Sequence, residues 1–145
     1  MHVAHGRFAP PSGHPLSDRL AFLVESLDEI LARYQPQVAA LESLFHGVNP
    51  RSLIVLAQAR GALLATVGRA ELEICEYTPS QIKTAVTGSG RADKTQVSHM
   101  VRLVLGLGTK KLSADAGDAL AAAICAAERR RFELLTSRRA SLVKP

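Results

Sequence analysis

From Leu16 to Tyr34, apolar residues fall at positions 16, 20, 23, 24, 27, 30, 31 and 34, which is the spacing of one stripe along a helix. Pro15 stands just before the stripe and Pro36 stops it. The short apolar run VAAL, at 38–41, predicts a buried strand with Glu42 at its exit. Asn49 and Pro50 suit the N-cap and first position of a helix running to about Gly68. That segment is apolar almost all round, so it needs cover on more than one side. Its Ala57, Gly61 and Ala65 recur every four residues and admit another helix closely, from within the monomer or from a second copy.

LEICEY, at 72–77, reads as a further strand, and Thr78-Pro79 opens a short helix through Lys83. The loop TGSGRAD predicts a hinge before a helix from about Asp93 to Leu105. Ser113 can cap a last helix from Ala114 to about Arg131. Weak alternation over residues 2–8 predicts one more short strand. The order of strands and helices implies an α/β layered domain over residues 1–131, followed by a basic C-terminal tail at 132–145.

Composition narrows the class. The 145 residues are 47% hydrophobic and 21% charged, as expected of a soluble globular protein with a core. Cys75 and Cys125 permit at most one bridge and no zinc cluster, and read as small buried residues in a reducing compartment. No apolar run is long enough to span a membrane, and the start MHVAHGRFAPP lacks the apolar stretch of a signal peptide, so a cytoplasmic protein is expected. Aromatic residues are 4% and Trp is absent, which disfavours stacking platforms for single strands.

The net charge of +5 becomes informative once it is divided along the chain. Residues 1–80 hold 6 basic and 8 acidic side chains. Residues 81–111 hold 6 basic ones (Lys83, Arg91, Lys94, Arg102, Lys110, Lys111) against Asp93 alone. Asp115 and Asp118 then stand isolated before a second basic block that begins after Glu128. Basic blocks around an acidic pair suit polyanion binding beside a metal centre, or equally a solubilising surface.

Three acids are candidates for chemistry. Glu42 ends an apolar strand, where a charge needs a site or solvent to face. Asp115 and Asp118 are three residues apart and share a helix face, flanked by Ala114, Ala116, Gly117 and Ala119. Oxygen donors suit Mg²⁺ or Mn²⁺, although acids in a first helical turn also suit the helix dipole. The glycine loop lacks a phosphate-binding fingerprint, the five histidines lack metal-ligand spacing, and no nucleophile has a recognisable base partner.

Three segments carry a family resemblance. LESLFHGVNPRSLIVLAQARG (41–61), YTPSQIKTAVTGSGRADKTQVSHMVRLVLGL (77–107) and DAGDALAAAICAAERR (115–130) resemble, in order and spacing, the RuvC family of Holliday-junction resolvases. The resemblance implies a ribonuclease-H-like three-layer fold and a homodimer. It also implies Mg²⁺-dependent paired nicking of four-way junction DNA, with about two ions per site 3.5–4 Å apart and a branch-migration motor as partner. Glu42 resembles the family's strand-end metal ligand, and Asp115 and Asp118 its helix-borne acidic pair. Phe45 matches an aromatic position that meets unstacked bases, and Lys83 and Lys94 match basic positions near the DNA. Position 46, often aromatic in the family, is His46 here.

The family's opening strand, with a GIDPG-like motif whose aspartate bridges the metals, has no counterpart in these 145 residues, nor has its second strand. Asp18 and Asp28 belong to the first helix and cannot stand in for that aspartate. The resemblance therefore implies an N-terminally truncated domain, an unpaired edge on residues 38–41, reduced stability and weak cleavage. The alternative function is a junction-binding remnant without metal chemistry.

Overall fold

The structure, a computed structural model, describes residues 1–43, 49–109 and 112–142, with side chains to Ser137. Among them the elements run α1 (Leu16–Tyr34), β1 (Val38–Glu42), α2 (Pro50–Arg69), β2 (Glu73–Tyr77), α3 (Pro79–Thr87), α4 (Lys94–Leu105) and α5 (Ala114–Leu142). The two strands form one parallel sheet. The Glu73 N–H donates to the Gln37 carbonyl (3.1 Å), and the Ser43 N–H donates to the Tyr77 carbonyl (2.8 Å).

By internal contacts the chain divides into two compact units. The first holds Met1–His5, Ala40–Ser43 and Glu76–Pro145. Here α3, α4 and α5 pack on one another. Ile82 and Val86 from α3, Val97 and Val101 from α4, and Leu120, Ala121, Ile124 and Cys125 from α5 build the core. Alanines on α5 let the other two helices approach closely. Each fully buried Val or Ile contributes about 1.5–3 kcal/mol. The second unit holds Gly6–Ala39 and Leu44–Cys75, where α1 packs on α2. Thr66 and Val67 are buried there, and the Arg69 guanidinium donates to both carboxylate oxygens of Asp28 at 2.7 Å.

Local chemistry explains the helix starts. The Asn49 side chain accepts from the Arg51 N–H (3.0 Å), with Pro50 in the first turn. Thr78 with Gln81, and Asp93 with Gln96, form reciprocal capping boxes at the heads of α3 and α4.

Five sequence expectations need correction. Residues 2–8 form no strand. Val3, Ala4 and Phe8 without a paired ladder do not hold an extended segment, and all three are exposed. Residues 38–41 are half-buried rather than buried, since β1 pairs with β2 alone among the described residues. Helix α3 continues past Lys83 to Thr87, where Gly88 in the left-handed region (φ +78°) ends it. Helix α5 continues past Arg131 to Leu142, because no Gly or Pro intervenes. Cys75 is half-buried, whereas Cys125 is buried as expected. No helix among the described residues is long and apolar enough to cross a membrane.

Candidate active site

The sequence candidates converge within the first unit. Glu42 at the end of β1, Lys83 on α3, Lys94 at the head of α4 and Asp118 on α5 line one hollow of about 270 Å³. Its apolar lining comes from Pro79, Ile82, Val97 and Ala121. Four elements thus each supply one charged group, two carboxylates and two ammoniums. Glu42, Asp118 and Lys94 are exposed, and Lys83 is half-buried. Asp118 sits one turn before the buried Ala121 and Ala122, so the packing that buries α5 also sets its position.

The loop between α3 and α4 fixes the two lysines relative to one another. Expected as a hinge, it is instead a hydrogen-bonded turn. The Ser89 N–H donates to Thr87 Oγ1 (3.2 Å), the Arg91 N–H donates to Ser89 Oγ (3.3 Å), and Ala92 is buried. Gly90 lies so close to α3 that a Cβ there would stand 2.5 Å from Ser80 Oγ. The capping box of Asp93 then starts α4, with Lys94 as its first residue.

Asp115, three residues before Asp118, is exposed and does not line the hollow. Phe45 and the neighbouring His46 lie outside the described residues, as do Lys110 and Lys111. Asp28, held by Arg69 in the second unit, is a structural acid.

The donor chemistry at the hollow fits a magnesium-type ion. Such an ion is commonly bound through one or two carboxylates while keeping several waters and taking substrate phosphate oxygens. Glu42 and Asp118 supply that number. No group of three or more His, Cys, Asp or Glu able to hold a metal occurs among the described residues.

Sequence reasoning gave no site role to Ser98, to His99 or to Arg102 beyond its place in the basic block; all three line a second, larger hollow that shares Lys94, Val97 and Asp118 with the first. The available signal was the four-residue spacing Lys94, Ser98, Arg102, which places all three along one edge of α4.

A parallel βαβ unit followed by helices, with carboxylates at a strand end and on a late helix, defines an α/β protein whose charged groups gather at the strand end. Comparison with known proteins agrees. The family model described as crossover junction endodeoxyribonuclease RuvC matches residues 2–126. A crossover junction endodeoxyribonuclease RuvC of Alkalilimnicola ehrlichii is 48% identical over 124 residues, covering 86% of this chain and 74% of the relative. That of Rubrobacter xylanophilus is 43% identical over 135 residues, covering 93% and 75%. The structure of Thermus thermophilus RuvC in complex with Holliday junction substrate matches with a TM-score of 0.80 at 30% identity, covering 85% of this chain and 74% of that one. The chain belongs to the RuvC family of DNA endonucleases.

Proposed function

We propose that the chain acts on four-way junction DNA as a structure-specific endonuclease, hydrolysing phosphodiesters at the hollow lined by Glu42, Lys83, Lys94 and Asp118. The convergence of two carboxylates and two lysines from four different elements, at the positions that resemble the family's site, is the observation that carries this reading. Phe45 joins them as the side chain that meets unstacked bases at the junction. A homodimer is part of the reading, since a symmetric junction calls for two sites and α2 exposes apolar surface (below). The bacterial cytoplasm as location and a branch-migration motor as partner rest on family membership.

In this mechanism Glu42 and Asp118 would hold Mg²⁺, or Mn²⁺ in its place, and Asp115 would add a donor for a second ion of the expected pair. When bound, the metal would supply Lewis acidity and an activated water. The Lys83 and Lys94 ammoniums grip the non-bridging oxygens of the scissile phosphate and offset the charge that builds as the attacking oxygen closes on phosphorus. The pinned glycine turn holds the two lysines at a set separation. The apolar wall of Ile82, Val97 and Ala121 keeps bulk water from one side, which strengthens each of these charge interactions.

A second reading, a junction-binding remnant, is favoured by the lack of a three-carboxylate group among the described residues. One experiment separates the two. The 145-residue chain is expected to bind a synthetic four-way junction in preference to duplex of the same sequence, and to nick it weakly with Mg²⁺. Efficient symmetric nicking would overturn the remnant reading and show that another group completes the donor set. Equal affinity for junction and duplex would overturn the functional proposal itself.

A further inference from the structure

The carboxylate hollow shares Lys94, Val97 and Asp118 with a groove of about 540 Å³ between α4 and the start of α5. Lys94, Ser98 and Arg102 line one wall at four-residue intervals. At 1.5 Å of rise per residue, the backbone positions of Lys94 and Arg102 stand about 12 Å apart along the helix axis, so the two cations enter the groove from points more than two turns apart. The facing wall is Leu112, Ser113, Ala114 and Gly117, with Leu112 packed over the buried Gly117 so that the exposed Ser113 and Ala114 are the small residues a sugar can approach. Asp118, at the end shared with the hollow, is the one acid among the described residues lining the groove. Elsewhere its charge is positive.

We propose that this groove carries the sugar–phosphate backbone of the DNA strand as it leaves the hollow, with Arg102 as a second phosphate anchor beyond Lys94 and Ser98 as a hydrogen-bonding contact between them. The proposal rests on the functional reading above and extends it from the scissile phosphate to its neighbours. Two cations rooted two turns apart, in a groove that shares three lining residues with the cutting hollow, suit a chain of phosphates. Half-buried Arg102 presents a planar fork suited to two oxygens of one phosphate, a geometry that lysine does not reproduce, although lysine keeps the charge.

The test is junction binding without divalent metal, measured against salt, for wild type, Arg102→Ala and Arg102→Lys. Loss of one phosphate contact on a duplex arm should flatten the log–log salt slope by about 0.9 in Arg102→Ala, and Arg102→Lys should keep most of the slope. Neutral methylphosphonates placed singly along the cleaved strand should then identify the phosphate. One position should weaken wild type and leave Arg102→Ala indifferent, and a different position should do the same for Lys94→Ala. An unchanged slope and unchanged interference pattern in Arg102→Ala, with wild type still preferring the junction, would overturn the groove while sparing the functional reading. Equal loss of slope in Arg102→Ala and Arg102→Lys would assign Arg102 a packing role and also overturn it. A wild-type chain without junction preference would instead remove the functional reading, and the groove with it.

Discussion

Glu42 and Asp118 face the same hollow, whereas Asp115 lies one turn away on α5, and this difference separates three chemically similar acids. Metal affinity should rank them accordingly. In Mn²⁺ titrations followed by electron paramagnetic resonance, Glu42→Gln and Asp118→Asn should each weaken binding by more than the roughly tenfold that loss of even an outer-shell partner costs. Asp115→Asn should have a smaller effect. Equal losses in all three would place Asp115 in direct contact with the ion. The cysteines differ for a comparable reason. Burial pushes the Cys125 thiol up, and the Arg129 guanidinium on the same helix opposes that only in part. Half-buried Cys75 should therefore alkylate first in the native protein, and Cys125 only when the chain opens. Because the folded chain holds the Cys125 proton more tightly than the unfolded one, the thiol's contribution to stability is complete below the ordinary thiol range. It is lost as pH rises through the raised folded value. Thermal melts from pH 7 upward should show a decline on the alkaline side, and Cys125→Ala should lessen it.

At the scale of elements, the turn from Thr87 to Asp93 decides where Lys83 and Lys94 stand. Asp93→Ala removes one half of a capping box and should cost about 1 kcal/mol in urea unfolding. Gly90→Val should cost more. Ser80 Oγ can rotate away from a single added carbon, but Thr84 Oγ1 at 3.1 Å and the Ser80 carbonyl at 3.4 Å leave no room for a branched side chain. Junction binding should weaken in Gly90→Val even under conditions where it remains folded. The same turn shows where sequence reasoning stops. Helix α1 was legible to its ends because one apolar stripe ran between two prolines, and α2 because Asn49 and Pro50 mark its start. Glu42 and Asp118, singled out through motif order, meet at one hollow, whereas Asp115 does not line it. The turn was not legible, since two glycines in seven residues predict freedom. Its rigidity comes from hydroxyl-to-backbone bonds and a close approach to α3 that no local pattern encodes. The groove along α4 escaped notice for another reason: a basic block on the sequence does not say which of its members share a helix edge with a hollow.

For the molecule as a whole, the open question of cover on α2 becomes a statement about association. Ile54, Val55 and Leu56 are 60%, 41% and 45% exposed, and Ala57, Gly61 and Ala65 are exposed along the same helix. Nothing lies within 4 Å of the place a Gly61 side chain would occupy. An apolar helix with its small-residue row facing outward is suited to a second copy of itself. A two-fold contact is isologous, so each substitution acts on it twice. Gly61→Leu should therefore shift the protein from dimer to monomer in sedimentation experiments. Near-UV circular dichroism should be retained, because a Cβ at this exposed position has open space around it. Cooperativity in junction binding should fall with the dimer, while the affinity of Lys94 and Arg102 for duplex arms persists. A wild-type chain that sediments as a monomer at high concentration would refute the dimer. A Gly61→Leu chain that loses its tertiary signal would place this face of α2 inside the fold. The two outcomes are read on one sample, which keeps a failure of folding from passing as a failure to associate.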